Sequence, residues 1–390
     1  MKANQIINQN SISAYIHIPF CEHICYYCDF NKVFLKGQPV DDYLQALLKE
    51  IELTLEQQPV TETKTLYIGG GTPTALSAQQ LDVLLAGVTK RLPYQSGEFT
   101  VEANPGDLTA DKLAVLKNYG VNRLSMGVQT FDDRLLKKIG RKHTAKEVYE
   151  TLDLVAQHGF SNVSIDLIYA LPGQSLASFR DSLNQALALD LPHYALYSLI
   201  LENKTLFMNW VRKGRFELPE QEVEAQMFQE TMDAMKQHGY EHYEISNFAK
   251  AGFESQHNQV YWNNLPYYGF GAGASGYLGN VRYKNHGPIQ HYLQPLKAGK
   301  LPIIEREILT VENQMEEELF LGLRKQAGVS YATFAQRFGK SLTSVYGAVI
   351  DELVTAGLLT KTETSIQLTD AGVFRGNDVF ERFLFDHKQS

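Results

Sequence analysis

From Ala14 onward, short apolar runs alternate with amphipathic stretches for about 200 residues. The runs at 14–18, 65–68, 98–102, 123–128, 162–168 and 193–199 have the length and composition of buried strands. Between them, apolar positions recur at helical spacing. In 41–57 these are Leu44, Leu47, Leu48, Ile51 and Leu55, behind an acidic first turn at Asp41 and Asp42. The stretches 77–90, 109–119, 145–158 and 175–189 repeat that pattern, with Gly120 and Gly159 where helix C-caps belong. Six strand–helix units in succession predict an α/β fold: a parallel sheet with right-handed crossovers, either open or closed as a partial (β/α)6 barrel.

After about residue 307 the pattern becomes helical, at 315–325, 330–338 and 341–356. Two short strand-like runs, 358–362 and 365–368, then read as a wing closed by Thr369 to Gly372. The expected organisation is a core at 1–240, a connecting segment at 241–306 with a glycine-rich strand-and-turn element at 268–276, and a helical, winged-helix-like domain at 307–390. Winged helices often bind DNA. Residues 316–390, however, hold 8 basic and 10 acidic side chains, so the phosphate-neutralising footprint is missing. A lid or partner-docking role fits that domain better than nucleic-acid binding.

The whole chain has 36 basic and 44 acidic residues, net −8, which again argues against a general nucleic-acid surface. No run approaches a membrane span, and the first ten residues are too polar for a secretory leader. A cytoplasmic location is the expectation. There, structural disulfides are rare.

Against that background the cysteines stand out. Cys21, Cys25 and Cys28 are the only three in 390 residues, spaced C-x3-C-x2-C just after the first strand. A 4Fe–4S cluster has four irons and cysteine thiolates are its usual ligands, so three cysteines leave one iron open to a small chelating molecule. A zinc site made of the three cysteines plus His17 or His23 satisfies the same spacing. Other unusual residues fall at strand ends. Gly69-Gly-Gly-Thr-Pro73 follows the second strand, Glu102-Ala-Asn-Pro105 the third and Gly127-Val-Gln129 the fourth. Asp166, followed by Leu171-Pro-Gly-Gln174, ends the fifth. All lie at the C-terminal ends, the rim on which βα loops build active sites in barrels. Glu102 and Asp166 sit within apolar strands, where a carboxylate needs a partner or a ligand.

Together these motifs resemble the radical S-adenosylmethionine superfamily, whose cysteine signature carries an aromatic before the third cysteine, here Tyr27. Tyr15-Ile-His-Ile-Pro-Phe-Cys21, Gly69-Gly-Gly-Thr-Pro73, Ser125-Met-Gly-Val-Gln-Thr-Phe131 and Asp166-Leu-Ile-Tyr-Ala-Leu-Pro-Gly-Gln174 resemble the oxygen-independent coproporphyrinogen III oxidase family over nearly the whole chain. The resemblance implies a 4Fe–4S cluster on Cys21, Cys25 and Cys28, and S-adenosylmethionine on its open iron. It places Tyr15 and Tyr27 near the adenosyl part, and Gly70, Gly71 and Thr72 at the methionine amino group. Glu102, Gln129, Arg141 and Asp166 fall on further cofactor positions. An electron donor of flavodoxin or ferredoxin type is implied as well. No catalytic residue is assigned.

Two departures separate the chain from the oxidases. Where the oxidase-type motif has a further cysteine two residues after the third, this sequence has Phe30, and only twenty residues precede Cys21. Both features resemble the haem-chaperone branch, whose members bind haem and pass it to an acceptor protein. His257-Asn-Gln-Val-Tyr-Trp262 resembles that branch's H-N-x-x-Y-W motif, which makes His257 a candidate haem ligand. The leading expectation is therefore a radical-SAM-type haem chaperone. An authentic oxidase and a zinc-stabilised binding module are the alternatives.

Overall fold

The computed structural model describes residues 11–385. The polar start at 1–10 and the last residues of the C-terminal domain, 386–390, lie outside them. Six parallel strands form the centre: β1 (Ser11–Ile18), β2 (Glu62–Gly70), β3 (Glu98–Ala103), β4 (Arg123–Gln129), β5 (Val163–Tyr169) and β6 (His193–Ser198). They lie side by side in sequence order and pair in parallel throughout. All six predicted strands are present, as is the strand–helix alternation of a partial barrel.

The helices between them are α1 (Val40–Gln57), α2 (Ala78–Arg91), α3 (Ala110–Asn118), α4 (Asp133–Lys138), α5 (Ala145–Gln157) and α6 (Leu176–Ala188). Their starts follow local chemistry. Ser77 with Gln80, and Thr144 with Glu147, form reciprocal capping boxes that satisfy the first free N–H groups of α2 and α5.

Strand alternation splits the sheet into two unlike faces. Leu66, Ile68, Phe99, Val101, Leu124, Met126, Ile165, Leu167, Tyr194 and Leu196 point to the helices and join one large core. The alternate positions Tyr67, Glu102, Arg123, Ser125, Ser164, Asp166, His193 and Tyr197 point the other way and line an interior cavity. The outer face therefore stabilises the barrel by apolar burial, and the inner face is left free for polar chemistry.

The segment 241–306, expected as a connector, is part of the same sheet. Glu241–Glu244 and Asn247–Ala249 extend it antiparallel beyond β6. Tyr267–Phe270 pairs in parallel with β1, and Ser275–Leu278, Val281–Asn285 and Ile303–Ile308 continue antiparallel on that side. The sheet has twelve strands in all among the described residues. Buried Glu50 ties this extension to α1 by accepting from Gly271 N, Asn285 Nδ2 and the Tyr292 hydroxyl.

The C-terminal part has its own core around Leu319, Phe334, Ile350 and Phe383. Helices Val311–Gly322, Tyr331–Phe338 and Leu342–Thr355 precede a hairpin of Leu359–Lys361 and Ser365–Leu368. The wing is three-stranded rather than two-stranded, because Val329–Ser330 pairs with the hairpin's second strand. Among the described residues, no helix is long and apolar enough to cross a membrane.

Candidate active-site cavity

The interior opens at the C-terminal ends of the six strands into a cavity of about 330 Å³. The cysteine loop closes one side, so Cys21, Cys25 and Cys28 all face the same space. All three are free thiols. Cys21 is buried against Thr72, whose hydroxyl donates to its sulfur at 3.7 Å. Burial pushes the Cys21 thiol up to about 12 and raises Cys28 as well. Such thiols stay protonated until a positive centre stabilises their thiolates.

The turn after β2 explains its glycines. Gly70 has φ +115°, and a Cβ there would lie 2.4 Å from the His17 ring. At Gly71 a Cβ would sit 2.8 Å from the Phe20 carbonyl and 3.0 Å from Cys21 Sγ. A side chain at Gly70 would strike the His17 ring, and one at Gly71 would fill the space beside the Cys21 thiol.

Two carboxylates face the thiols from the strands. Glu102 accepts from the Tyr67 hydroxyl at 2.8 Å and from Gly70 N at 2.9 Å. Asp166 has only the Ser125 hydroxyl, at 3.4 Å, and no cation within ion-pair distance among the described residues. Burial, with the Glu102 charge added, lifts Asp166 to about 7, and burial also raises Glu102. Arg141 completes the wall. Its guanidinium donates to Cys25 Sγ at 3.4 Å, to Asn104 Oδ1 at 2.7 Å and to the Gly127 carbonyl. Gln129 adopts φ 71° at the end of β4 and accepts from Tyr197 at 3.5 Å.

The fold thus brings Tyr27, Gly70, Gly71, Thr72, Glu102, Gln129, Arg141 and Asp166 to one cavity with the three cysteines. Tyr15 does not line it. Its hydroxyl bonds His17 Nδ1 at 2.9 Å, and its ring packs 6.0 Å from Tyr67, behind the wall.

His257, the candidate haem ligand, does not line this cavity. It is buried on Gln256–Trp262, with Nδ1 bonded to the Thr65 hydroxyl at 2.7 Å and Nε2 to the Tyr261 hydroxyl at 2.8 Å. Burial holds its imidazole down to about 3, so it is neutral and both ring nitrogens are hydrogen-bonded. His17, one of the two zinc candidates, is likewise hydrogen-bonded at both nitrogens, with Nε2 on the Asn31 carbonyl at 2.7 Å. Sequence reasoning also missed wall residues. Tyr67, Asn104, Arg123 and Tyr197 all line the cavity, and Arg123 is buried on its floor 3.8 Å from Glu98.

A six-strand partial barrel with three cysteines over its mouth and two buried carboxylates on its inner wall is the architecture of a radical S-adenosylmethionine protein. Residues 15–186 match the Radical SAM superfamily model, and residues 309–375 match the HemN C-terminal domain. The heme chaperone HemW of Bacillus subtilis is 51% identical over 374 residues, which is 95% of this chain and 99% of that one. The Lactococcus lactis heme chaperone HemW is 50% identical, covering 97% and 98% of the two chains, and the Escherichia coli protein 34%, covering 96% and 98%. Over these whole-length alignments the chain belongs to the heme chaperone HemW family of radical SAM proteins. Coproporphyrinogen III oxidase (HemN) from Escherichia coli shares the fold, with a TM-score of 0.84 over 96% of this chain and 90% of that one, at 24% identity.

Proposed function

We propose that this protein binds haem and hands it to an acceptor protein, while carrying a 4Fe–4S cluster on Cys21, Cys25 and Cys28 and S-adenosylmethionine beside it. The observation that carries this reading is the thiol loop open to a cavity whose wall holds a buried carboxylate, Asp166, with no ion-pair partner among the described residues. Three thiolates leave one iron for a chelating amino acid. Asp166 and Glu102 supply the negative wall that a sulfonium and an ammonium need. Bound there, the pair of cofactors supplies one-electron chemistry, and the chain positions them and excludes water.

In this reading Gly70, Gly71 and Thr72 receive the amino-acid end of the cofactor. Glu102, Gln129 and Asp166 hold its polar groups, Tyr27 packs beside it, and Arg141 fixes the thiol loop to the strand ends. Haem is cargo rather than resident cofactor. Its acceptor is a haem protein, the electron source is an external carrier of flavodoxin or ferredoxin type, and the setting is the cytoplasm. The relatives' haem-chaperone names support the cargo, and Phe30 at the oxidase cysteine position supports a role without oxidase chemistry.

The test is haem transfer. Anaerobically reconstituted protein is titrated with haem, then mixed with an apo haem protein, with the Soret band and iron–sulfur content followed together. Haem should bind saturably and leave while the cluster stays. Failure to bind haem defeats the reading.

A further inference from the structure

Electrons for a cluster on this loop must come from outside the chain, because Cys21, Cys25 and Cys28 are its only cysteines. Tyr26, between two of them, leads from the loop to the surface. Its ring lies on Gly140 and meets Trp210 edge-on at 4.9 Å. Its backbone donates to the Ile139 carbonyl and accepts from Phe207 N, each at 3.1 Å. Trp210 packs 5.2 Å from Phe216, whose ring carries Lys138 Nζ at 5.2 Å. Tyr26 therefore clamps two surface segments together: 133–142, which includes α4, and 206–216, which includes α7 (Leu206–Arg212).

Those two segments are basic. Lys137, Lys138, Lys142, Arg212, Lys213 and Arg215 have no ion-pair partner among the described residues, whereas Arg134 on the same helix is paired with Asp132. The segments' only carboxylate is Asp133, which caps α5 by accepting from Ala145 N. Six unpaired, largely exposed cations on a chain of net charge −8 make a local positive patch of the sign that complements an acidic partner. With a half-buried aromatic centre, exposed Leu206 and a charged rim, the patch has the anatomy of a protein interface rather than of a solvated face.

We propose that the surface formed by 133–142 and 206–216 docks an acidic, low-potential one-electron carrier protein, with the Trp210–Tyr26 ring pair as the route to the cysteine loop. The inference rests on the cluster placed there under the proposed function. In the step, one electron leaves the reduced carrier, which is thereby oxidised, and reduces the cluster by one. No bond forms or breaks and no proton moves. The cations steer the encounter, so the rate must fall with ionic strength.

The experiment uses the reconstituted protein and a Lys137→Glu, Lys213→Glu, Arg215→Glu variant, with reduced flavodoxin as the acidic carrier. Cluster bleaching at low salt should slow by roughly tenfold or more in the variant, and the wild-type salt dependence should flatten. Binding of oxidised flavodoxin to the cluster-free protein should be lost in parallel. Photoreduced deazaflavin, a small neutral reductant, should reduce both proteins equally. Trp210→Leu should slow reduction by flavodoxin and leave flavodoxin binding intact. Equal flavodoxin rates in wild type and charge variant would overturn the proposal, as would equal slowing with deazaflavin. Weakened haem binding with unchanged reduction would overturn it too, and would make the patch an anchor for haem carboxylates. A protein that takes up no cluster at all defeats the proposed function instead.

Discussion

Arg141 Nη1 donates to Cys25 Sγ across 3.4 Å, so a guanidinium bonded to the ends of β3 and β4 is also bonded to one thiol of the cysteine loop. That side chain ties the thiol of Cys25 to the strand ends, beside the backbone bonds that Tyr26 makes to Ile139 and Phe207. A lysine keeps the charge and loses the planar fork.

Arg141→Lys is accordingly predicted to retain iron and sulfide but to bind S-adenosylmethionine less well. Losing one charge-assisted hydrogen bond costs on the order of 1.5–3 kcal/mol, or roughly tenfold to a hundredfold in affinity. Calorimetric titration of the reconstituted variant checks this, and wild-type affinity would show that Arg141 does not set the loop.

Replacing Cys21, Cys25 or Cys28 singly by Ala should abolish the cluster, because the chain has no spare cysteine. Iron and sulfide analysis after anaerobic reconstitution is the readout. A full cluster in any one variant would remove that residue from the site.

Asp166 gives the cavity a pH dependence. Its folded value of about 7 means that it is largely neutral at pH 6 and largely a carboxylate at pH 8. A cationic sulfonium ligand favours the ionised form, so S-adenosylmethionine affinity should rise across that window and level off above it. In Asp166→Asn the rise should disappear at unchanged iron content. A variant with the wild-type slope would assign the titration to another group.

His257→Ala should leave the haem spectrum unchanged and lower the thermal midpoint. Thr65 Oγ1 and the Tyr261 hydroxyl each lose a buried partner, at about 1–3 kcal/mol per unsatisfied group. A shifted Soret band at unchanged stability would restore His257 as a ligand.

His257 also shows where sequence reading stops. Its partner Thr65 is 192 positions away, so nothing local distinguishes a satisfied core histidine from a free one. The barrel strands were legible because each is a short apolar run, and the cavity rim because its glycines and carboxylates end those runs. The wall residues were less so. The alternation Thr65-Leu66-Tyr67-Ile68 carries the signal that Tyr67 faces inward, but burial on both sheet faces masks the usual contrast between core and solvent. Helix Gln221–Gln237 escaped notice because its apolar face is narrow, with Met227, Phe228 and Met235 among many Glu and Gln. In 241–306 the glycine-rich strand-and-turn element at 268–276 was legible, but not that Tyr267–Phe270 and Asn247–Ala249 join the barrel sheet, because their partners β1 and β6 lie far away in sequence.

The central claim is that this radical SAM scaffold carries haem rather than oxidising a porphyrinogen. The most direct measurement gives one anaerobically reconstituted sample haem and another coproporphyrinogen III, S-adenosylmethionine and reductant. The account predicts saturable haem binding in the first and no carbon dioxide release in the second. Turnover-dependent carbon dioxide with no haem binding would contradict it.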